Sequence, residues 1–300
     1  MPVGLVLRVD AKFAHVDVDG TVHLLPLRGR LFEEPGHEKR PIAPGDRVEV
    51  TLAEGGGAID AVLPRTNRLG RRAAGEDGRE QVLAANLSLV LIVMPVREPT
   101  FDPLLVDRIL AATEREGIEA ALVISKIDRA PPAQTEKWAE LYRSLGYPVY
   151  PTSVAPGHRT DATLEELRAR LHAGVTVLCG PSGAGKSSLV NAIVPGVNLR
   201  VGSLGKLRQG KHTTTHTQLV PLPGGGYVID TPGVRAFTLY GAGTQELGFY
   251  FRDIKQLAPQ CAFRNCTHRD EPDCAVRDRI AESRMRSYRL MFDELANAER

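Results

Sequence analysis

The sequence predicts a three-part α/β protein: a small β-barrel, a central domain of alternating strands and helices, and a short helical region at the C-terminal end. Three observations carry that expectation. Residues 1–65 hold short strand-like runs separated by turn signals, residues 86–179 alternate between strand-like and helix-like spacing, and cysteines cluster with a histidine near the end. The chain has 300 residues, room for two or three domains with a sizeable core. It is 42% hydrophobic and 25% charged, as soluble globular proteins are, with a formal charge of 38 − 36 = +2. So small a net charge means that any nucleic-acid affinity comes from local patches. The N-terminus, MPVGLVLRVD, lacks the basic start and apolar core of a signal peptide. The most apolar stretch, Leu83 to Val96, is broken by Asn86, Ser88 and Pro95 and is too short to span a bilayer. The expectation is a cytoplasmic protein without membrane contact, its four cysteines free or metal-bound.

In the first part the candidate strands are Val3–Val9, Phe13–Val18, Thr21–Leu27, Arg47–Leu52 and Ala58–Leu63. Asp19-Gly20, Pro35-Gly36, Pro44-Gly45-Asp46 and Gly55-Gly56-Gly57 mark the turns between them. Five short strands in this length suit an OB-fold barrel, a scaffold that in some proteins binds RNA. Phe13 and Phe32 are its few aromatics, so base stacking is not strongly indicated. A linker follows, with Arg65, Arg68, Arg71, Arg72 and Arg79 interspersed with glycines and offset by Glu76, Asp77 and Glu80; it reads as solvated chain.

Next come a buried strand at Leu87–Met94, a helix at Pro103–Glu116, a strand at Ala120–Ile124 and a helix at Thr135–Leu145 closed by Gly146. A short strand at Pro148–Tyr150 and a helix at Thr163–Leu171, capped by Asp161 or Thr163, complete the series. Strand and helix in alternation imply parallel βαβ units, with ligands at the carboxyl ends of the strands.

Residues 180–187 read GPSGAGKS, the P-loop pattern, between the apolar run Val175–Cys179 and the helical spacing of Ser188–Ile193. The backbone of Gly180, Pro181, Ser182, Gly183, Ala184 and Gly185 would wrap a phosphate, with Ser188 opening the helix behind it. Lys186 would reach the β/γ-phosphates, and the Ser187 hydroxyl would ligate Mg²⁺. Two further motifs accompany it. Ser125-Lys126-Ile127-Asp128 resembles the guanine-specificity motif Asn/Thr-Lys-x-Asp: Asp128 can accept from guanine N1–H and the 2-amino group, a donor pair that adenine lacks, while the Lys126 stem lies over the base. Thr152-Ser153 offers a further backbone contact to the base. Asp230-Thr231-Pro232-Gly233 follows the strand Tyr227–Ile229; Asp230 would hold Mg²⁺ through water and the Gly233 N–H would meet the γ-phosphate.

The order of these motifs is rotated. The base motif and base loop precede the P-loop, as in a circularly permuted P-loop GTPase, and the segment after Gly233 runs straight into the C-terminal region. Arg200 to Gln218 carries Lys206, Arg208, Lys211, His212 and His216 with no acid, and reads as switch I. Thr214, of Thr213–Thr215, is the preferred residue to complete the Mg²⁺ shell. Val234 occupies the place of the water-orienting glutamine of Ras-like enzymes, so hydrolysis needs another group. His212 is the best internal candidate, with His216 second.

Cys261, Cys266, His268 and Cys274 form Cys-x4-Cys-x-His-x5-Cys, three thiolates and an imidazole that suit a closed, structural Zn²⁺ site. Cys179 reads as a packed core residue. Helices are expected at 244–257 and 275–299, the latter with Arg277, Arg279, Arg284, Arg286 and Arg289 along it. The domain boundaries this implies are 1–68 for the barrel, 69–240 for the GTPase domain and 241–300 for the helical zinc-binding domain.

Barrel, permuted GTPase and zinc quartet together resemble the bacterial RsgA (YjeQ/YloQ) family of small-subunit ribosome biogenesis GTPases. The most specific stretches are GPSGAGKSS at 180–188, Lys211-His212-Thr213-Thr214-Thr215, DTPG at 230–233 and the zinc quartet. The resemblance implies a GTP hydrolase that binds the 30S subunit and 16S rRNA late in assembly; the expected protein is a monomer that takes GTP and GDP. It implies stimulation by the small subunit and hydrolysis through the His of Gly-x-His-Thr-Thr, matched by His212. The motif set adds the expectation that hydrolysis rearranges switch I and the segment after Gly233, loosening the zinc domain and releasing the particle. Val234 matches the family, and Ser125 departs from it. A competing expectation, motivated by Val234 and Ser125, is an RNA-binding assembly scaffold with a vestigial nucleotide site. A third is another permuted GTPase acting on the large subunit.

Overall fold

The computed structural model describes residues 1–10, 12–27, 42–53, 56–72, 80–194, 196, 218–230, 239 and 241–299. Strands β1 (Val3–Val9), β2 (Phe13–Val18), β3 (Thr21–Pro26), β4 (Arg47–Ala53) and β5 (Gly56–Val62) form an antiparallel sheet in the order β3-β2-β1-β4-β5. A bridge between Leu27 and Ile59 brings the far edges together. Alternation places Val6, Ala14, Val16, Val48, Val50 and Ile59 inside, each fully buried. The basic stretch expected as linker instead forms a hairpin, β6 (Arg68–Arg72) with β7 (Glu80–Ala85). Leu69 and Leu83 are buried there, which a solvated linker would not permit. Arg65 donates two hydrogen bonds to the carboxylate of the fully buried Asp46, at 2.7 and 2.8 Å, and so fixes the hairpin's approach to the barrel.

The second sheet has six strands in the order β10-β9-β8-β11-β13-β12: β8 (Leu89–Pro95), β9 (Ala120–Ser125), β10 (Val149–Thr152), β11 (Val175–Cys179), β12 (Leu219–Pro221) and β13 (Tyr227–Asp230). All neighbours are parallel except the β12–β13 hairpin. Every residue of β8, β9 and β11 is buried, because helices cover both faces and leave no solvated side to alternate toward. On one face lie α1 (Pro103–Glu116) and α2 (Pro132–Ser144), and on the other α3 (Asp161–Leu171) and α4 (Lys186–Ile193). The start and stop of α1 are written locally. Asp102 caps it by accepting from the Leu105 N–H, Pro103 opens it, and Gly117 closes it at φ 64°. For α3 the cap is Thr160, not Asp161 or Thr163; its hydroxyl accepts from the Ser153 N–H instead of capping the helix.

The C-terminal region is less helical than its sequence suggests. The expected helix at 244–257 is a short 3₁₀ turn, Leu247–Tyr250, followed by α5 (Arg252–Leu257), and the last helix, α6, begins only at Glu282 and runs to Ala298. Residues between α5 and α6 are drawn into turns around the Cys/His cluster. Arg284 of α6 is 1% exposed; it donates to Asp107 of α1 at 2.6 Å and to both oxygens of Asp253 of α5 at 3.0 and 2.9 Å. Burial alone would lower its pKa, but the two carboxylates override that and push it up. Tyr142 of α2 donates to the same Asp107 oxygen.

Removing one member strands the others' charges in the interior. Arg284→Ala is therefore expected to lower the free energy of unfolding by about 3–5 kcal/mol, read from urea denaturation. Arg284→Lys should recover only part of it, since an ammonium cannot reproduce the fork.

Candidate nucleotide site and metal centre

The carboxyl ends of β8, β9, β10, β11 and β13 all lie at one edge of the sheet, and the loops after the first four leave from it. The P-loop, 180–185, follows β11, and α4 starts at Lys186. Its glycines are there for space and backbone geometry. A Cβ on Gly180, at φ 139°, would lie 2.0 Å from the Val93 carbonyl oxygen of β8, and Gly183 and Gly185 hold φ of 78° and 92°. Pro181 is half-buried, Ser182 is exposed and Ala184 buried, while Ser188 lies half-buried in the first turn of α4. Lys186 is 8% exposed and folds back over the loop, donating to the carbonyls of Gly180 and Pro181 at 2.9 and 3.0 Å. Ser187, 6% exposed, sits beside it.

The base motif stands at the end of β9, next to the P-loop. Ser125 is buried, and its hydroxyl donates to the Ala184 carbonyl at 2.7 Å. Lys126 adopts the left-handed backbone, φ 59°, and its ammonium donates to the Glu98 carbonyl at 2.6 Å. Burial, with Arg129 nearby, lowers its pKa. Ile127 packs against the core and opens a 3₁₀ turn that leaves Asp128 exposed. Ser153, expected to offer only its backbone, uses its side chain: the hydroxyl donates to Asp128 Oδ1 at 2.7 Å and fixes the carboxylate's orientation. Glu98 and Arg129, ion-paired beside this motif, were not singled out from the sequence; no local pattern marks them. His212, Thr214, Gly233 and Val234, and the side chain of Asp230, lie outside the described residues; the backbone of Asp230 pairs with Leu178 in β13.

In the C-terminal region Cys261, Cys266, His268 and Cys274 converge, their ligand atoms all within 4.8 Å of one another. The Cys261 and Cys274 sulfurs lie 3.5 and 3.6 Å from His268 Nδ1. A tetrahedral ion with Zn-like bonds to sulfur and nitrogen places such pairs about 3.5 Å apart, so the cluster fits zinc. His268 is 5% exposed and its pKa is lowered by burial, which favours the neutral imidazole a metal needs. Burial and its thiol neighbours push Cys266 up to about 12. Around the ligands, Glu271 accepts from the Thr267 N–H and hydroxyl and from the Arg269 N–H, and Tyr288 of α6 donates to the Thr267 carbonyl. Burial would raise the Glu271 pKa, but those donors hold it at about 2. Cys179 stays apart, fully buried, its thiol pushed up by burial.

A parallel sheet with a P-loop on its fourth strand, and a base motif on the strands before it, defines a circularly permuted P-loop GTPase. The chain belongs to the RsgA GTPase family, whose model matches residues 62–240. A Bacteroides fragilis protein named small ribosomal subunit biogenesis GTPase RsgA is 34% identical, over 97% of this chain and 96% of its own. One of the same name from Microcystis aeruginosa is 38% identical over 91% and 74%. Among solved structures, YjeQ from Thermotoga maritima matches with a TM-score of 0.78 at 34% identity, covering 98% of both chains. YloQ, described as a circularly permuted GTPase, matches at 0.74 and 29%, covering 99% of this chain and 96% of its own. No described helix is long and apolar enough to cross a membrane.

Gly180→Ala is expected to abolish nucleotide binding in a fluorescent-GDP titration while the fold, read by circular dichroism, persists, because the clash is confined to the loop and Val93. Elemental analysis should find one zinc per chain in the wild type and none in Cys266→Ser. Chelation should lower the melting temperature of the former only.

Proposed function

We propose that this protein is a GTP hydrolase of late 30S maturation, which binds the small subunit and 16S rRNA when GTP-loaded and leaves once GTP is cleaved. The observation that carries the reading is the approach of the base motif to the P-loop, tied by Ser125 and Ala184, in a chain whose relatives bear the name small ribosomal subunit biogenesis GTPase. Asp128 would select guanine, the P-loop backbone with Ser188 and Gly233 would hold the phosphates, and Lys186 would turn from its loop carbonyls to the β/γ-oxygens. Ser187, Thr214 and, through water, Asp230 would hold Mg²⁺, which neutralises phosphate charge when bound. His212 is the group assigned to the attacking water, since Val234 has no polar atom to orient it. The Cys261, Cys266, His268 and Cys274 quartet would hold one structural Zn²⁺, and the protein would act in the cytoplasm as a monomer.

GTP turnover by the purified protein is expected to rise with added 30S subunits and not with 50S, and His212→Ala to lose the stimulated rate. Equal turnover with and without 30S would end the ribosome-dependent reading, and no single-turnover cleavage on the ribosome would favour a scaffold. Asp128→Asn should exchange guanine for xanthine preference in nucleotide competition; an unchanged preference would remove Asp128 from its role.

A further inference from the structure

We propose that Leu7 of the barrel is a positioning residue for the nucleotide site, holding the β12–β13 hairpin from whose end the Mg²⁺-side segments leave. The proposal rests on the reading of Ser187, Thr214 and Asp230 as Mg²⁺ ligands. It starts from an irregularity in β1. The pairing of β1 with β2 runs from Val6–Val16 to Arg8–His15, so Leu7 is an extra residue, a β-bulge. In a regular strand every second residue faces the same side, and Arg8 would follow Val6 into the barrel. The bulge changes that phase. Val6 and Val9 lie in the barrel core, 0% and 6% exposed, while Leu7, also 6% exposed, leaves it and enters the core of the nucleotide domain.

What Leu7 meets there follows from the strand pairing. Arg8 bridges to Gln218 in the antiparallel sense. Continued by one residue, that register sets Leu7 opposite Leu219, which pairs with Ile229 of β13, which pairs with Val177 of β11. All four belong to one buried cluster, so the barrel extends an apolar row of the nucleotide sheet beyond its edge strand. That edge strand, β12, has three residues and no further strand of its own sheet on its outer side among the described residues. At the other end of the hairpin Tyr227 donates to Asp17 of β2 at 2.9 Å, so the barrel holds the hairpin in two places. Gln218 is the last residue of the segment read as switch I, and Asp230 ends β13 and opens Asp-Thr-Pro-Gly. Both therefore join the hairpin at the end that Leu7 packs against. The P-loop instead meets β8 through Gly180, away from the barrel. Leu7 thus acts on the metal-dependent part of nucleotide binding and leaves the metal-free part alone.

The test is a titration of the full-length protein with GDP and with the β,γ-imido analogue of GTP, each in Mg²⁺ and in EDTA. The proteins are the wild type, Leu7→Ala, Leu7→Met and Tyr227→Phe. In Leu7→Ala the gain in affinity that Mg²⁺ gives is expected to shrink at least about fivefold, the lower end of a coupling between two sites. Affinity in EDTA should stay as in the wild type. Leu7→Met keeps the volume and should restore the gain. Tyr227→Phe removes one hydrogen bond from the far end of the hairpin. It should shrink the gain about twofold to fivefold, and it carries the test if Leu7→Ala does not fold. Hydrogen exchange of the nucleotide-free proteins should show the β12 amides opening faster in both variants, with α4 unchanged. Equal losses with and without Mg²⁺, an undiminished Mg²⁺ gain, no recovery with Met, or unchanged exchange in β12 would each overturn the positioning role. An undiminished Mg²⁺ gain in Asp230→Ala would overturn the reading of the metal ligands instead, and the exchange result, which needs no metal, then decides on Leu7 alone.

Discussion

The parallel pairing of β8 with β11 is the constraint on which the nucleotide site depends. It joins Thr176 to Leu89 and Cys179 to Ile92, and the two strands lie so close that both ends of β11 have a glycine facing β8. A Cβ on Gly174 would fall 2.1 Å from Ser88 Oγ, and one on Gly180 would fall 2.0 Å from the Val93 carbonyl. No side chain fits at either point, so the P-loop starts in contact with its neighbouring strand. From that start, the loops after β8, β9 and β10 fall beside it on one edge of the sheet. Motifs separated in sequence by more than fifty positions then meet through side-chain bonds such as Ser125 to Ala184.

Helix α1 plays the matching part for the C-terminal region. Its inner face packs on the sheet, and Asp107 receives Arg284 of α6 and Tyr142 of α2. Arg108, one residue on, pairs with Glu294 of α6 through two hydrogen bonds. Leu239 and Ala242, just past the segment that follows Gly233, lie buried in the same core as Met291 of α6. The Cys/His cluster is thus braced to the nucleotide domain through α6: Tyr288 holds Thr267, and Arg284 holds Asp107 and Asp253. Moving it away from α1 would break a buried ion pair, which is costly. On the other flank, Tyr227 of β13 donates to Asp17 of the barrel, and Arg8 of β1 bridges to Gln218 beside β12, so the barrel leans on the same sheet.

Much of this was legible locally. The five barrel strands appear near the expected positions because their inside–outside alternation is set by one buried face, and α1 begins and ends where Asp102, Pro103 and Gly117 say it should. The P-loop and the zinc-type quartet could be read because both depend on fixed spacing, of glycines in one and of ligands in the other. What local patterns misjudged were segments whose conformation depends on a distant partner. The basic glycine-containing stretch became a hairpin because Leu69 and Leu83 had a core to enter. The expected 275–299 helix begins only at Glu282 because the residues before it turn around the Cys/His cluster, while the expected 244–257 helix is broken at Phe251, whose extended backbone separates a 3₁₀ turn from α5.

The sequence by itself determined which motifs the chain carries and their order: a P-loop, a Ser-Lys-x-Asp segment, a Cys₃His quartet and the rotation that marks a permuted GTPase. Motifs are residue types at short spacing and their order is fixed along the chain, and folding can change neither. Only the tertiary structure decided what each polar side chain does with its hydrogen bonds. Ser125 and Ser153 carry no local mark that would send one hydroxyl to a P-loop carbonyl and the other to Asp128. Arg284 reads as one more arginine on a basic helix until α1 and α5 close around it. A buried donor must find an acceptor, and which acceptor it finds is set by the elements packed against it rather than by its neighbours along the chain.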